Sequence, residues 1–119
     1  MAKGLIDSYD FGMIVVKGKR YTSDVIVFPE KVIDNWWRKE GHRIYVEDLK
    51  EIFSHSPPPE VLVIGTGYYG LVKAMPEVEK ALETRGIELI IQPTREAYKT
   101  FNTFLKSDRL VAGAFHLTC

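Results

Sequence analysis

The residues with the clearest capacity for chemistry are Gly65-Thr66-Gly67-Tyr68-Tyr69-Gly70, a literal G-x-G-x-x-G directly after the aliphatic run Val61–Ile64. Glycines at a strand end let the backbone turn sharply and turn its amides toward phosphate or carboxylate oxygens. A dinucleotide site needs a helix that opens inside such a motif, and an acidic residue about 20 positions further on. Here the best helix start is Pro76, six residues past Gly70, and the next strand ends as Ile90-Ile91-Gln92-Pro93. The chain also lacks room for two mononucleotide halves, and the loop has no Gly-Lys-Ser/Thr ending. NAD, FAD and ATP are therefore not expected to bind, and no cofactor is assigned. Two readings of the loop stay open. It is a turn that only packs strand against helix, or it holds a small anion with help from the hydroxyls of Thr66 and Thr94.

Other residues carry weaker signals. His116 and Cys119 lie three apart, a spacing at which a histidine can activate a thiol, but the chain offers only His42 and His55 as further ligands for a metal. A histidine at a strand end more often satisfies hydrogen bonds. Asn102, beside Phe101 at the edge of an apolar helix face, either seals the backbone of a neighbouring strand or faces a pocket, with sealing the safer reading. Asp24 is the best lone acid near the hairpins, with nothing in the sequence to pair it as an acid–base couple. In Trp36-Trp37-Arg38 one tryptophan is expected to plug the core and the other to cover it alongside a basic stem, with base stacking or a partner contact as the alternative. The candidate ligand-binding set is Gly65, Thr66, Gly67, Tyr68, Thr94, Asn102 and His116. No catalytic or metal-binding residue is assigned.

The elements that would position these groups follow from periodicity. Residues 5 to 28 alternate as antiparallel β structure, with Gly18-Lys19 as a Gly-first hairpin turn. Leu49, Ile52 and Phe53 mark a short helix over about 47–55. Strands are expected at about 61–65, 87–92 and 110–116, adjacent in one sheet. Helices should span about 76–85 and 94–106, the first with Pro76 at its start and Gly86 as its left-handed stop, the second capped by Thr94. Strand–helix–strand–helix–strand implies right-handed crossovers and a mostly parallel sheet. The class is α/β in three layers: a central mixed, mostly parallel sheet, helices on one side and an N-terminal β-rich layer.

A length of 119 residues makes one domain, 1–119, able to fold without disulfides. Sixteen basic and sixteen acidic residues cancel, so no overall field draws nucleic acid or an anionic membrane. The start shows no secretory leader, no run is long enough to span a bilayer, and the single cysteine closes no internal disulfide. A cytoplasmic setting fits these features.

Phe11-Gly12, Tyr21-x-x-Asp24-Val25, Val63-Ile64-Gly65-Thr66-Gly67, Arg85-Gly86-Ile87, Thr94-x-x-Ala97, Phe101-Asn102 and His116-Leu117-Thr118-Cys119 together resemble one family. It is a small-domain family of unknown function. Its members include stand-alone archaeal and bacterial proteins, an animal adipogenesis-associated protein and a mitochondrial assembly factor for respiratory complex I. The resemblance covers nearly the whole chain. It implies a central mixed sheet with helices on one side and helices plus β structure on the other, supplies no catalytic residues, and hints at protein binding. The expected function is a cytoplasmic binding or adaptor domain that assists assembly of a protein complex. The alternative is a small enzyme or ligand-binding protein for an anionic metabolite at the Gly65–Gly70 loop. A pocket flanked by loop amides would favour the ligand, an exposed apolar patch the adaptor.

Overall fold

A computed structural model of the chain describes residues 5–119. The sequence expectation about a secretory leader rests partly on residues 1–4, outside the described residues. Three strands, β1 (Ile6–Asp10), β2 (Met13–Val16) and β3 (Lys19–Tyr21), form an antiparallel meander. The turn between β2 and β3 is Lys17-Gly18 rather than Gly18-Lys19, and both residues have positive φ, 50° and 79°. That is the requirement of a type I′ hairpin, whose twist matches that of its strands.

The chain then runs through β4 (Val25–Phe28), β5 (Lys31–Ile33), β6 (Arg43–Ile44), a 3₁₀ turn (Val46–Leu49) and α1 (Lys50–Ser54). It continues through β7 (Val61–Thr66), β8 (Lys73–Ala74), α2 (Pro76–Thr84), β9 (Glu88–Gln92), α3 (Thr94–Lys106) and β10 (Val111–His116). Pro76 occupies the first turn of α2, and Gly86 beyond its end has φ 71°. Both fit the proline start and glycine stop expected there.

One five-stranded sheet has the order β5-β4-β10-β7-β9. β7 lies inside it, parallel to β10 on one side and to β9 on the other. β10 and β4 pair antiparallel, as do β4 and β5. The sheet is therefore mixed in equal parts rather than mostly parallel, because the β4–β5 hairpin extends it past β10. A separate parallel pair, β6 with β8, has no counterpart in the sequence pattern.

Every residue of β7 is buried, and its side chains alternate between two apolar clusters. Val61 and Val63 join Phe101, Leu105, Phe115, Ile14 and Val16. Leu62 and Ile64 join Ile52, Val78, Leu82, Phe28 and Trp36. Each such aliphatic side chain contributes about 2 kcal/mol by leaving water. The two crossover helices thus take opposite faces, α2 with α1 and α3 with the β1–β2 hairpin. Helices gathered on one side, the sequence expectation, would conflict with this strand order. The chain moves outward from β7 to β9 and then back across β7 to β10, so two crossovers of the same hand require helices on opposite faces. Among the described residues, no helix is long and apolar enough to cross a membrane.

Candidate functional site

The carboxyl ends of β7, β9 and β10 bring Gly65, Thr66, Gly67, Tyr68, Thr94 and His116 together, and leave Asn102 elsewhere. Thr94 links all three strand ends. Its hydroxyl donates to the His116 carbonyl at 2.6 Å and accepts the Gly67 N–H at 2.8 Å, and the residue is fully buried. Thr94 is therefore not the cap of α3: Pro93 holds that position and no side-chain capping bond forms. The Thr66 hydroxyl donates to the Gln92 carbonyl at 3.2 Å. The Tyr68 and Gly70 amides donate to Thr118 O and Gly67 O. Four groups that could face an anion, the amides of Gly67, Tyr68 and Gly70 and the Thr94 hydroxyl, thus have partners within the protein.

The glycines make this knot possible. Gly67 has φ 102°, and a Cβ there would lie 2.6 Å from the Thr118 carbonyl oxygen. Gly65 lacks a positive φ, but its Cβ would meet Thr94 Oγ1 at 2.7 Å and Phe115 Cδ1 at 2.8 Å. One glycine is needed for conformation and the other for close approach.

Asn102 takes its sealing role: its amide oxygen accepts the Ile6 N–H and its amide nitrogen donates to the Ile6 carbonyl, at 3.1 and 2.8 Å. It latches β1 to α3.

Asp24, lone in the sequence, is not lone in the fold. Its Oδ2 lies 2.7 Å from His116 Nδ1 and 2.8 Å from Arg38 Nη1, and its Oδ1 accepts the Leu117 N–H at 2.9 Å. Burial works to raise the Asp24 pKa, but the bonds from His116, Arg38 and Leu117 together hold it below the ordinary carboxylate range. A carboxylate only accepts, so Nδ1 of His116 carries the proton. Arg38 Nη2, 3.0 Å from that nitrogen, then makes no hydrogen bond to it and donates instead to the Gly41 carbonyl at 2.9 Å. Nε2 of His116 lies on the other side of the ring, 3.5 Å from Thr118 Oγ1. The Arg38 side chain is 5 % exposed and sits 4.8 Å over the Trp36 ring, which is itself buried and bonded through Nε1 to Asp48 O. Trp36 is the core plug, and Trp37 is 83 % exposed. No pattern spacing marks the Asp24–His116–Arg38 cluster. It joins a segment around residues 24–38 to the far end of the chain, and in the sequence Asp24 and His116 stand only in separate motifs of the family resemblance.

Beside this knot stands an aromatic cluster that the sequence pattern did not assemble. Phe11 and Tyr69, 49 % and 66 % exposed, flank Tyr68 with ring centroids 5.6 and 5.2 Å away. Tyr9 lies 6.4 Å from Tyr68 and 6.3 Å from Tyr98, and the Arg95 guanidinium sits 5.5 Å over Tyr68. The Tyr9 hydroxyl donates to Leu117 O at 2.8 Å, and its pKa is pushed up to about 12 by burial and then by the charge of Asp10. Gly12 N bonds Leu117 O and Tyr68 N bonds Thr118 O, so both loops that carry the rings are fixed to the segment after β10.

The geometry can be set beside that of known proteins. Residues 6–116 match the family described as "Protein of unknown function (DUF498/DUF598)". A mouse protein named NADH dehydrogenase [ubiquinone] 1 alpha subcomplex assembly factor 3 is 32% identical over 110 residues, which cover 92% of this chain and 57% of that protein. The chain thus spans little more than half the length of this curated relative. A conserved hypothetical protein from Pyrococcus horikoshii superposes with TM-score 0.81 at 27% identity, over 96% of this chain and 98% of that one. A Bartonella henselae structure titled as an outer membrane protein gives TM-score 0.83 at 27% identity, over 97% and 95%.

Proposed function

The chain belongs to the DUF498/DUF598 family of unknown function, and from that premise we propose that it is a protein-binding adaptor domain that assists assembly of a complex in the cytoplasm. One observation carries the reading: Phe11, Tyr68 and Tyr69 form a contiguous, partly exposed aromatic surface on loops fixed by backbone hydrogen bonds. Tyrosines and an arginine on a rigid base are the residue types that dominate binding energy in protein interfaces, since ordering them costs little on association. The curated relatives named as assembly factors support the same class of function. An anion at the glycine loop is less well supported, because the amides of Gly67, Tyr68 and Gly70 already bond within the protein.

The test is quantitative capture from a lysate of the native host, comparing the intact chain with Tyr68→Ala/Tyr69→Ala. The reading expects one or a few proteins enriched by the intact chain and depleted roughly tenfold or more by the double variant, as for a loss of hot-spot contacts. Identical capture by both would refute it.

A further inference from the structure

The five-stranded sheet ends in two edges that the chain treats differently. β5 is three residues long and starts with Lys31, both devices that discourage another strand from pairing. β9, Glu-Leu-Ile-Ile-Gln, has no lysine, no proline and no break in its register with β7. Glu88 N donates to Glu60 O, so in this parallel ladder Glu88, Ile90 and Gln92 turn their backbone groups toward β7. Leu89 and Ile91 turn theirs outward. On the α2 side this edge opens into a groove of about 510 Å³ lined by Ile87, Leu89, Ile91, Glu79 and Glu83. Ile91 is 41 % exposed there. The floor of the groove is aliphatic and its wall on α2 is acidic.

We infer that β9 is a strand-addition site for an extended, basic segment of a partner protein. A residue paired opposite Leu89 or Ile91 projects to the α2 face, into the groove. Lysine or arginine fits it best, with the stem along Leu89 and Ile91 and the charged head at Glu79 and Glu83. The backbone of the segment pairs with Leu89 and Ile91, as in other cases of strand addition to an open sheet edge. A second copy of this chain fits less well. An antiparallel β9–β9 pairing places both α2 helices on one face, turning Glu79 and Glu83 toward the same acids of the other copy. The site is separate from the aromatic surface, so the two proposals stand or fall independently.

The probe is a short synthetic peptide alternating lysine and threonine, titrated into the intact chain with backbone amides followed by NMR. A peptide of equal length with glutamate for lysine serves as the control. The expected result is that the lysine peptide shifts the Leu89 and Ile91 amides and slows their exchange roughly tenfold. The charge-reversed variant Glu79→Lys/Glu83→Lys should weaken binding about tenfold or more at unchanged thermal stability, because both side chains are exposed helix positions. Three results would overturn the proposal. The glutamate peptide could bind equally well, or the shifts could fall on Phe11, Tyr68 and Tyr69 or nowhere. Protection of Leu89 and Ile91 that rises with protein concentration alone would assign the edge to a second copy.

Discussion

At the scale of single residues, the carboxyl end of the sheet is held by groups with no slack. Asp24 is the strongest case, because it pairs with Arg38 Nη1 and His116 Nδ1 at once while accepting from the Leu117 backbone. Asp24→Asn should destabilise the fold by about 3 kcal/mol, since it leaves a buried guanidinium without its counter-charge; urea unfolding measures this. The pH dependence has a definite sign. The Asp24 pKa is depressed in the folded state, so its contribution is present above the ordinary carboxylate pKa and lost as pH falls through the lower folded value. Tyr9 works the other way. Its contribution is present below the ordinary value of 10.0 and lost as pH rises through about 12. Unfolding curves of Asp24→Asn and Tyr9→Phe should lose the acid and alkaline slopes respectively. Thr94→Val keeps the shape and removes the hydroxyl, leaving Gly67 N and His116 O unpaired, at a cost of about 2 kcal/mol. Gly67→Ala should cost about as much, because it combines a positive φ with a Cβ pressed on the Thr118 carbonyl.

At the scale of elements, α3 is the part that ties the N-terminal meander to the sheet. Phe101 and Leu105 fill the core it shares with β7 and β10, while Asn102 clasps both backbone groups of Ile6. Asn102→Ala should lower exchange protection at the Ile6 amide far more than at β7, which amide exchange can resolve. This latch shows what sequence conveys and what it does not. α2 is legible from Pro76 and Gly86, and β7 from four consecutive aliphatics between prolines and glycines, because those signals act within a few residues. The placement of α2 and α3 on opposite faces is not legible, because it follows from the strand order, which no local pattern encodes. β6 and β8 are two residues each and exist only because the fold brings them together. The candidate set divides on the same line. Gly65, Thr66, Gly67, Tyr68, Thr94 and His116 follow from strands whose ends coincide. Asp24 and Arg38, 92 and 78 positions from His116, could join them only through the folded chain.

At the scale of the whole molecule, the aromatic surface and the β9 edge, unpaired among the described residues, are two features that core packing leaves unexplained. Core packing accounts for Trp36 and not for Phe11, Tyr69 or Ile91, which stay exposed. The central claim is that Phe11, Tyr68 and Tyr69 touch a protein partner. The most direct measurement places a photo-crosslinking amino acid at Tyr69 and, in a separate sample, at the partly exposed Glu51 on α1, and irradiates both in cells of the native host. The account predicts a discrete protein adduct from position 69, absent from position 51 and lost when Phe11→Ala is added. No adduct at position 69, or the same adducts from both positions, would contradict it.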